Sequence, residues 1–221
     1  MPAHQRPTRP NLDQRELRPG DLQRPRTALL VLAVVVSIVP AMYSQSQVQR
    51  TRDEMRASYV AHQADCDYLL GVWEFTGVSQ EFGGFHGFWS AVRLPGGQIL
   101  DKYRIVDDKG QPTRVTTTLR AYNAGVDRWE LVGMDSGGGL QNTGTGKRVG
   151  SEMQIEQKFG VANGNPFTLQ IRYFDIQPDH FFWTADRTTD NGKTWTRNLQ
   201  QLEAHRIGPP RSIELFFAGR E

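Results

Sequence analysis

RYFDIQPDHFFWTADRTTDNGKTW, residues 172–195, is the stretch whose reading decides the fold. With the residues just upstream it alternates: Leu169, Ile171 and Tyr173 share one side, and Gln177-Pro178-Asp179 then turns the chain. Phe181, Trp183 and Ala185 resume the period of two, and Asp190-Asn191-Gly192 makes a second turn. Asn-Gly tolerates positive φ at both central positions, as a tight hairpin requires. The stretch reads as one β-hairpin and the edge of the next strand.

The same pattern extends upstream to Gly71. Strands are predicted over 71–78, 85–94, 98–106, 114–122, 127–134, 139–146, 151–159, 166–176, 180–187 and 195–205. Their separators are turn-like, among them Pro95-Gly96-Gly97, Asp107-Asp108-Lys109-Gly110, Asn123-Ala124-Gly125 and Asn163-Gly164-Asn165-Pro166. About ten evenly spaced strands with no helix between them predict an all-β, antiparallel up-and-down barrel, since closure removes unpaired edges. A short helix before the barrel is expected from Asp53 as N-cap, with Met55, Tyr59 and Val60 at helical spacing.

The N-terminal part differs in kind. Residues 1–52 hold eight arginines against three acids, a net of +5, whereas residues 53–221 hold 18 Lys/Arg against 21 Asp/Glu, a net of −3. The basic character thus belongs to the tail, and no nucleic-acid face is expected on the folded part. Residues 1–27, rich in Arg and Pro, read as a disordered basic tail. Residues 28–43 carry no charge and read as an export signal or a transmembrane anchor, short against the roughly 20 residues of a full span. Val39-Pro40-Ala41 supplies small residues for cleavage, and the long basic leader suits an uncleaved anchor. The expected organisation is then a linker at 44–52, a barrel domain at 53–207 and a tail at 208–221. The barrel is expected outside the cytoplasm, secreted or periplasmic, or on a membrane through residues 28–43.

The opening of the first strand, Leu70-Gly71-Val72-Trp73-Glu74, resembles the Gly-x-Trp start of lipocalins and other calycins. Gly87-Phe88-Trp89-Ser90, Gln98-Ile99-Leu100, Thr118-Leu119-Arg120-Ala121-Tyr122, Arg128-Trp129-Glu130 and Phe174-Asp175-Ile176 through Trp195 resemble the bacterial calycin-like DUF1579 group. The most specific part is Asp175-x-x-Pro178-Asp179-x-x-x-Trp183 with Asp190-x-Gly192-x-Thr194-Trp195. The resemblance spans about residues 65–207 and implies a calycin-like barrel without implying an activity. Nitrobindins, the haem-binding calycins, share the Gly-x-Trp start. Their glycine-rich continuation ending in Tyr-Pro is absent after Trp73, so neither haem nor any other cofactor is expected.

No catalytic motif stands out. Thr188-x-Asp190-x-Gly192-x-Thr194-Trp195 resembles the Asp-box of sialidases, a hairpin device outside their active site, and a single copy builds no propeller. Gly137-Gly138-Gly139 through Lys147 fails as a phosphate loop, because Gln141 and Arg148 stand where Gly and Ser/Thr are needed. His4, His62, His86, His180 and His205 show no metal-ligand spacing. Cys66, the only cysteine, sits between Asp65 and Asp67, which disfavour its thiolate.

Alternation supplies the candidate site. It predicts His86, Phe88, Ser90 and Val92 on the inner side of one strand and Ile99, Asp101, Tyr103 and Ile105 on that of the next. Leu169, Ile171, Tyr173 and Asp175, then Phe181, Trp183, Ala185 and Arg187, and finally Trp195, Arg197, Leu199 and Glu203 follow. The candidate ligand-binding residues are Trp73, His86, Asp101, Tyr103, Tyr173, Trp183, Arg187, Trp195 and Arg197, with Arg187 and Arg197 at the opening favouring an anionic group. The charged ones are equally read as solvated barrel ends or structural ion pairs, since a one-residue slip reverses every face. Three functions fit: a barrel binding a small, partly apolar ligand; a cavity isomerase or cyclase using Asp101 with Tyr103; or a structural or partner-binding domain with a filled core.

Overall fold

A computed structural model describes residues 49–160 and 164–210. The 1–27 tail, the 28–43 segment, most of the linker and residues 211–221 lie outside the described residues. Among the described residues no helix is long and apolar enough to cross a membrane, so the transmembrane helix expected at 28–43 has no counterpart in them.

Ten strands close into one antiparallel barrel: β1 (Gly71–Ser79), β2 (Gly83–Arg93), β3 (Ile99–Val106), β4 (Pro112–Asn123), β5 (Arg128–Asp135), β6 (Gly139–Val149), β7 (Glu152–Phe159), β8 (Phe167–Phe174), β9 (His180–Thr188) and β10 (Thr196–Gly208). Each strand pairs with its neighbours in sequence, and β1 pairs with β10 to complete the ring. The up-and-down reading is thereby shown, with β4, β6 and β10 each longer than the alternation indicated.

Helix α1 (Arg52–His62) precedes the barrel. Its N-cap is Thr51 and not Asp53, because Thr51 Oγ1 accepts from the Glu54 amide at 3.2 Å while Glu54 Oε2 accepts from the Thr51 amide at 2.7 Å. That reciprocal capping box satisfies two orphan donors, whereas Asp53 only adds charge to the first turn. Ser58 Oγ donates to Asp127 Oδ1 at 2.7 Å, and His62 stacks on Tyr122, which fixes the helix to the β4–β5 corner.

A 3₁₀ turn (Asp67–Leu69) then plugs the barrel's lower end. Cys66, Leu69 and Trp73 are all buried there, and Trp73 Nε1 donates to the Leu69 carbonyl at 2.9 Å. Arg206 covers the Trp73 ring from outside at 4.0 Å. The opposite end is formed by the loops after β1, β3, β5, β7 and β9, and it opens into the interior.

The 190–195 loop behaves as the turn that the sequence indicates. Asn191 and Gly192 both have positive φ, +57° and +87°. Gly192→Val is expected to destabilise the barrel by about 1 kcal/mol or more, since a β-branched residue resists that region. Chemical denaturation measures the loss, and ligand affinity of the folded fraction should stay unchanged.

Asp190 staples the same loop. The Thr194 amide at 2.9 Å, then the Thr194 and Thr188 hydroxyls, lower its pKa from 3.8 to about 2. A carboxylate depressed in the folded state contributes stability above its unfolded pKa and loses it as pH falls through the folded one. The loop should therefore loosen between about pH 3.8 and 2. Trp195 fluorescence across that window reports it, and Asp190→Asn should abolish the transition.

Candidate functional site

The barrel interior above the plug is a cavity of about 650 Å³. Its deepest polar group is an ion pair between β3 and β4. Arg120 Nε donates to Asp101 Oδ2 at 2.5 Å, and Trp89 Nε1 donates to Asp101 Oδ1 at 3.0 Å. Asp101 is 1% and Arg120 3% exposed, so the pair is dry apart from the cavity. Burial opposes the arginine's charge, yet the Asp101 carboxylate outweighs it and holds the Arg120 pKa well above its ordinary value. Arg120 Nη1 is buried without a hydrogen-bond partner.

Tyrosines and a tryptophan frame this floor. Burial pushes the Tyr173 phenol up to about 12 despite the nearby Arg120, so it remains a donor at neutral pH. Burial also raises the Tyr103 pKa. Tyr103 stacks on Phe75 at 4.9 Å and meets Trp89 edge-on at 5.3 Å. Trp183 on β9 stands opposite Tyr173 on β8 and reaches the cavity. Below the floor, burial pushes the Cys66 thiol up to about 12, so the thiolate is suppressed by desolvation more than by its acidic neighbours.

Of the sequence candidates, Asp101, Tyr103, Tyr173, Trp183 and Arg187 come together around the cavity. Arg187 sits at the rim, where its Nη1 pairs with Glu81 Oε1 at 2.7 Å. The other four lie elsewhere. Trp73 faces inwards but belongs to the plug. His86 is on the outer wall with Phe88, Ser90 and Val92, because β2 turns Phe85, Gly87, Trp89 and Ala91 inwards. Burying two large aromatics and a small residue beside Phe75 wins over the histidine side, and a slip of one residue reverses the face.

Trp195 and Arg197 are corrected for a different reason. β10 contains a bulge between Thr196 and Gln200, with Asn198 at φ +50°. Beyond it Gln200, Leu202 and Ala204 face the interior, while Glu203 points outwards and pairs with His205. Arg197 binds Asp186 at 2.7 Å outside the barrel, and Trp195 donates to the Gly192 carbonyl at the loop. From Thr196 to Gln200 β10 takes four steps against two on β9, so alternation is broken inside the bulge that holds Arg197, while Trp195 precedes the strand in the turn; nothing in the local composition marks the bulge. Asp175, expected inside, occupies the exposed turn after β8 with φ +45°.

Sequence reasoning missed the polar wall. Thr116, Thr118 and Arg120 on β4, Asn142 on β6 and Gln157 on β7 are all buried and line the cavity. Gln157 Nε2 donates to Asn142 Oδ1 at 3.1 Å, and Asn142 Nδ2 and Thr116 Oγ1 both donate to Gln141 Oε1. The period-two run Thr116, Thr118, Arg120 was the available signal, once Asp101 on the adjacent strand is taken as the partner of Arg120.

No family model and no curated protein matches this chain. Among solved structures, Rv2717c from M. tuberculosis aligns with a TM-score of 0.48 and 17% identity, over 66% of this chain and 96% of that one. A redesigned β barrel aligns with a TM-score of 0.35 and 12% identity, over 63% and 92%. Likenesses this weak carry no functional argument, and the barrel stands on its own strand pairing.

Proposed function

We propose that this protein is a small-molecule-binding barrel whose ligand is held inside the cavity. The observation that carries the reading is the interior space of about 650 Å³, walled by Trp89, Tyr103, Tyr173 and Trp183 together with fixed polar groups. Space of that size, with aromatic and apolar surface beside fixed directional groups, is what small-ligand sites have in common. A filled-core structural domain leaves no such space.

Catalysis by Asp101 with Tyr103 has less support. Both Asp101 oxygens already accept hydrogen bonds, from Trp89 and Arg120, and the raised Tyr103 pKa keeps its proton on. A general base must stand within hydrogen-bond reach of the substrate proton, whereas Asp101 is 1% exposed and turned to Arg120 and Trp89.

Kinship with the calycin-like DUF1579 group, an export signal at 28–43, a barrel domain at 53–207 and no nucleic-acid partner belong to the same reading. The Gly71-x-Trp73 opening supports the kinship, since Trp73 buttresses the plug. The uncharged run at 28–43 supports export.

Native mass spectrometry of the purified protein tests the binding reading. A bound small molecule, or one-to-one uptake of an added apolar dye, is expected. An empty protein that excludes small apolar dyes would sink it.

A further inference from the structure

Hydrophilic and apolar side chains occupy opposite arcs of the cavity wall. Asp101, Thr116, Thr118, Arg120, Asn142 and Gln157, each at most 9% exposed, project from β3, β4, β6 and β7. Leu169, Ile171, Trp183, Leu199 and Trp89 project from β8, β9, β10 and β2, interrupted by Gln200 and the rim Arg187, while Tyr103, Leu140 and Phe159 interrupt the polar arc. Such segregation has no packing cause, because a barrel needing only to fill its core gains nothing from a buried amide ladder.

The wall's charges are already balanced. Three carboxylates and three guanidinium groups line the cavity, Glu81, Asp101 and Asp135 against Arg114, Arg120 and Arg187. Asp101 is held by Arg120 and Trp89, Glu81 by Arg187, and Asp135 by the Gly137 and Gly138 amides at 2.9 and 3.1 Å. Arg114 stands in the exposed mouth, where water screens it. A charged ligand would surrender its hydration without gaining a dry counter-charge. What the polar arc does offer is neutral: Thr118 Oγ1 and Gln157 Oε1 have no hydrogen-bond partner among the described residues, and Tyr173 also lines the cavity.

Resting on the binding reading above, we infer that the ligand is an uncharged, two-faced molecule, with hydroxyl or carbonyl groups along one edge and an apolar opposite edge. The apolar edge lies against Trp183, Leu169 and Ile171. The polar edge exchanges hydrogen bonds with Thr118 and Gln157, with Arg120 beneath them. The neutral acceptors and donors of the wall specify groups that both give and take hydrogen bonds.

Displacement of the neutral dye N-phenyl-1-naphthylamine by four probes of one skeleton tests this on the full chain. 2,7-Dihydroxynaphthalene carries both hydroxyls along one edge, whereas the 2,6 isomer carries them at opposite corners; naphthalene and naphthalene-2-carboxylate complete the set. The 2,7 isomer should displace the dye at about tenfold lower concentration than naphthalene or the carboxylate, as two net hydrogen bonds imply, and should surpass the 2,6 isomer. Thr118→Val and Gln157→Met, which nearly keep side-chain shape, should each move the 2,7-to-2,6 preference towards one.

Equal displacement by the two isomers, or best displacement by the carboxylate, overturns the two-faced neutral ligand while dye binding leaves the cavity reading intact. A preference unmoved in both variants overturns it likewise. A protein that binds neither the dye nor any probe overturns both.

Discussion

Arg120→Met is expected to cost about 3–5 kcal/mol of folding stability, the largest loss of any single cavity-wall substitution considered. The arginine and Asp101 are 3% and 1% exposed, and among the described residues the guanidinium is the carboxylate's only cationic partner. Removing it leaves Asp101 charged, buried and held by Trp89 Nε1 alone. Methionine fills much of the volume, so the loss reports the stranded charge and not a void. The melting temperature should fall by more than about 6 °C. The double variant Asp101→Asn, Arg120→Met should regain most of it, because an uncharged amide needs only hydrogen bonds. A single variant as stable as the parent would show that the pair is not dry.

Trp73→Ala should cost about 3–5 kcal/mol through the plug. The indole is fully buried, meets Phe181 edge-on at 4.9 Å and lies beneath the Arg206 guanidinium. Truncation opens a void, frees the Leu69 carbonyl and removes the surface that Arg206 covers. Trp73 does not line the cavity, so dye affinity in the folded fraction should change by less than about twofold even as denaturant stability collapses. A comparable loss of affinity at unchanged stability would place Trp73 in the binding site after all.

Those two residues also show how far the sequence could be read. Trp73 was legible as an inward aromatic because Gly71-x-Trp73 opens a strand with clean alternation. Its role as plug was not, since the covering groups, Leu69 and Arg206, are separated from each other by most of the chain. Strand number, order and turns were legible because short links leave an antiparallel meander as the one economical topology. Faces were less so. On β2 aromatics occur on both sides, at Phe85, Phe88 and Trp89, and only pairing with β1 decides between them. On β10 the bulge breaks the alternation between Thr196 and Gln200, where Arg197 lies outside, and Trp195 precedes the strand in the turn.

The candidate site was half legible for the same reason. Asp101 and Tyr103 fell on a strand whose period admits one reading. Arg120 and the Thr116, Asn142 and Gln157 wall did not suggest themselves, because buried polar residues look like exposed ones until their partners are known. Arg187 and Arg197, expected at the opening to favour an anionic group, are engaged instead in ion pairs, Arg187 with Glu81 and Arg197 with Asp186. That pairing is what shifts the proposed ligand from an anion to a neutral molecule.

Fluorescence titration of the purified chain with N-phenyl-1-naphthylamine tests the central claim, a barrel interior that takes up a small molecule, most directly. The dye's emission should shift to the blue and saturate at one molecule per chain, with energy transfer from the tryptophans at the cavity wall. Unsaturable, weak binding without a blue shift would contradict it.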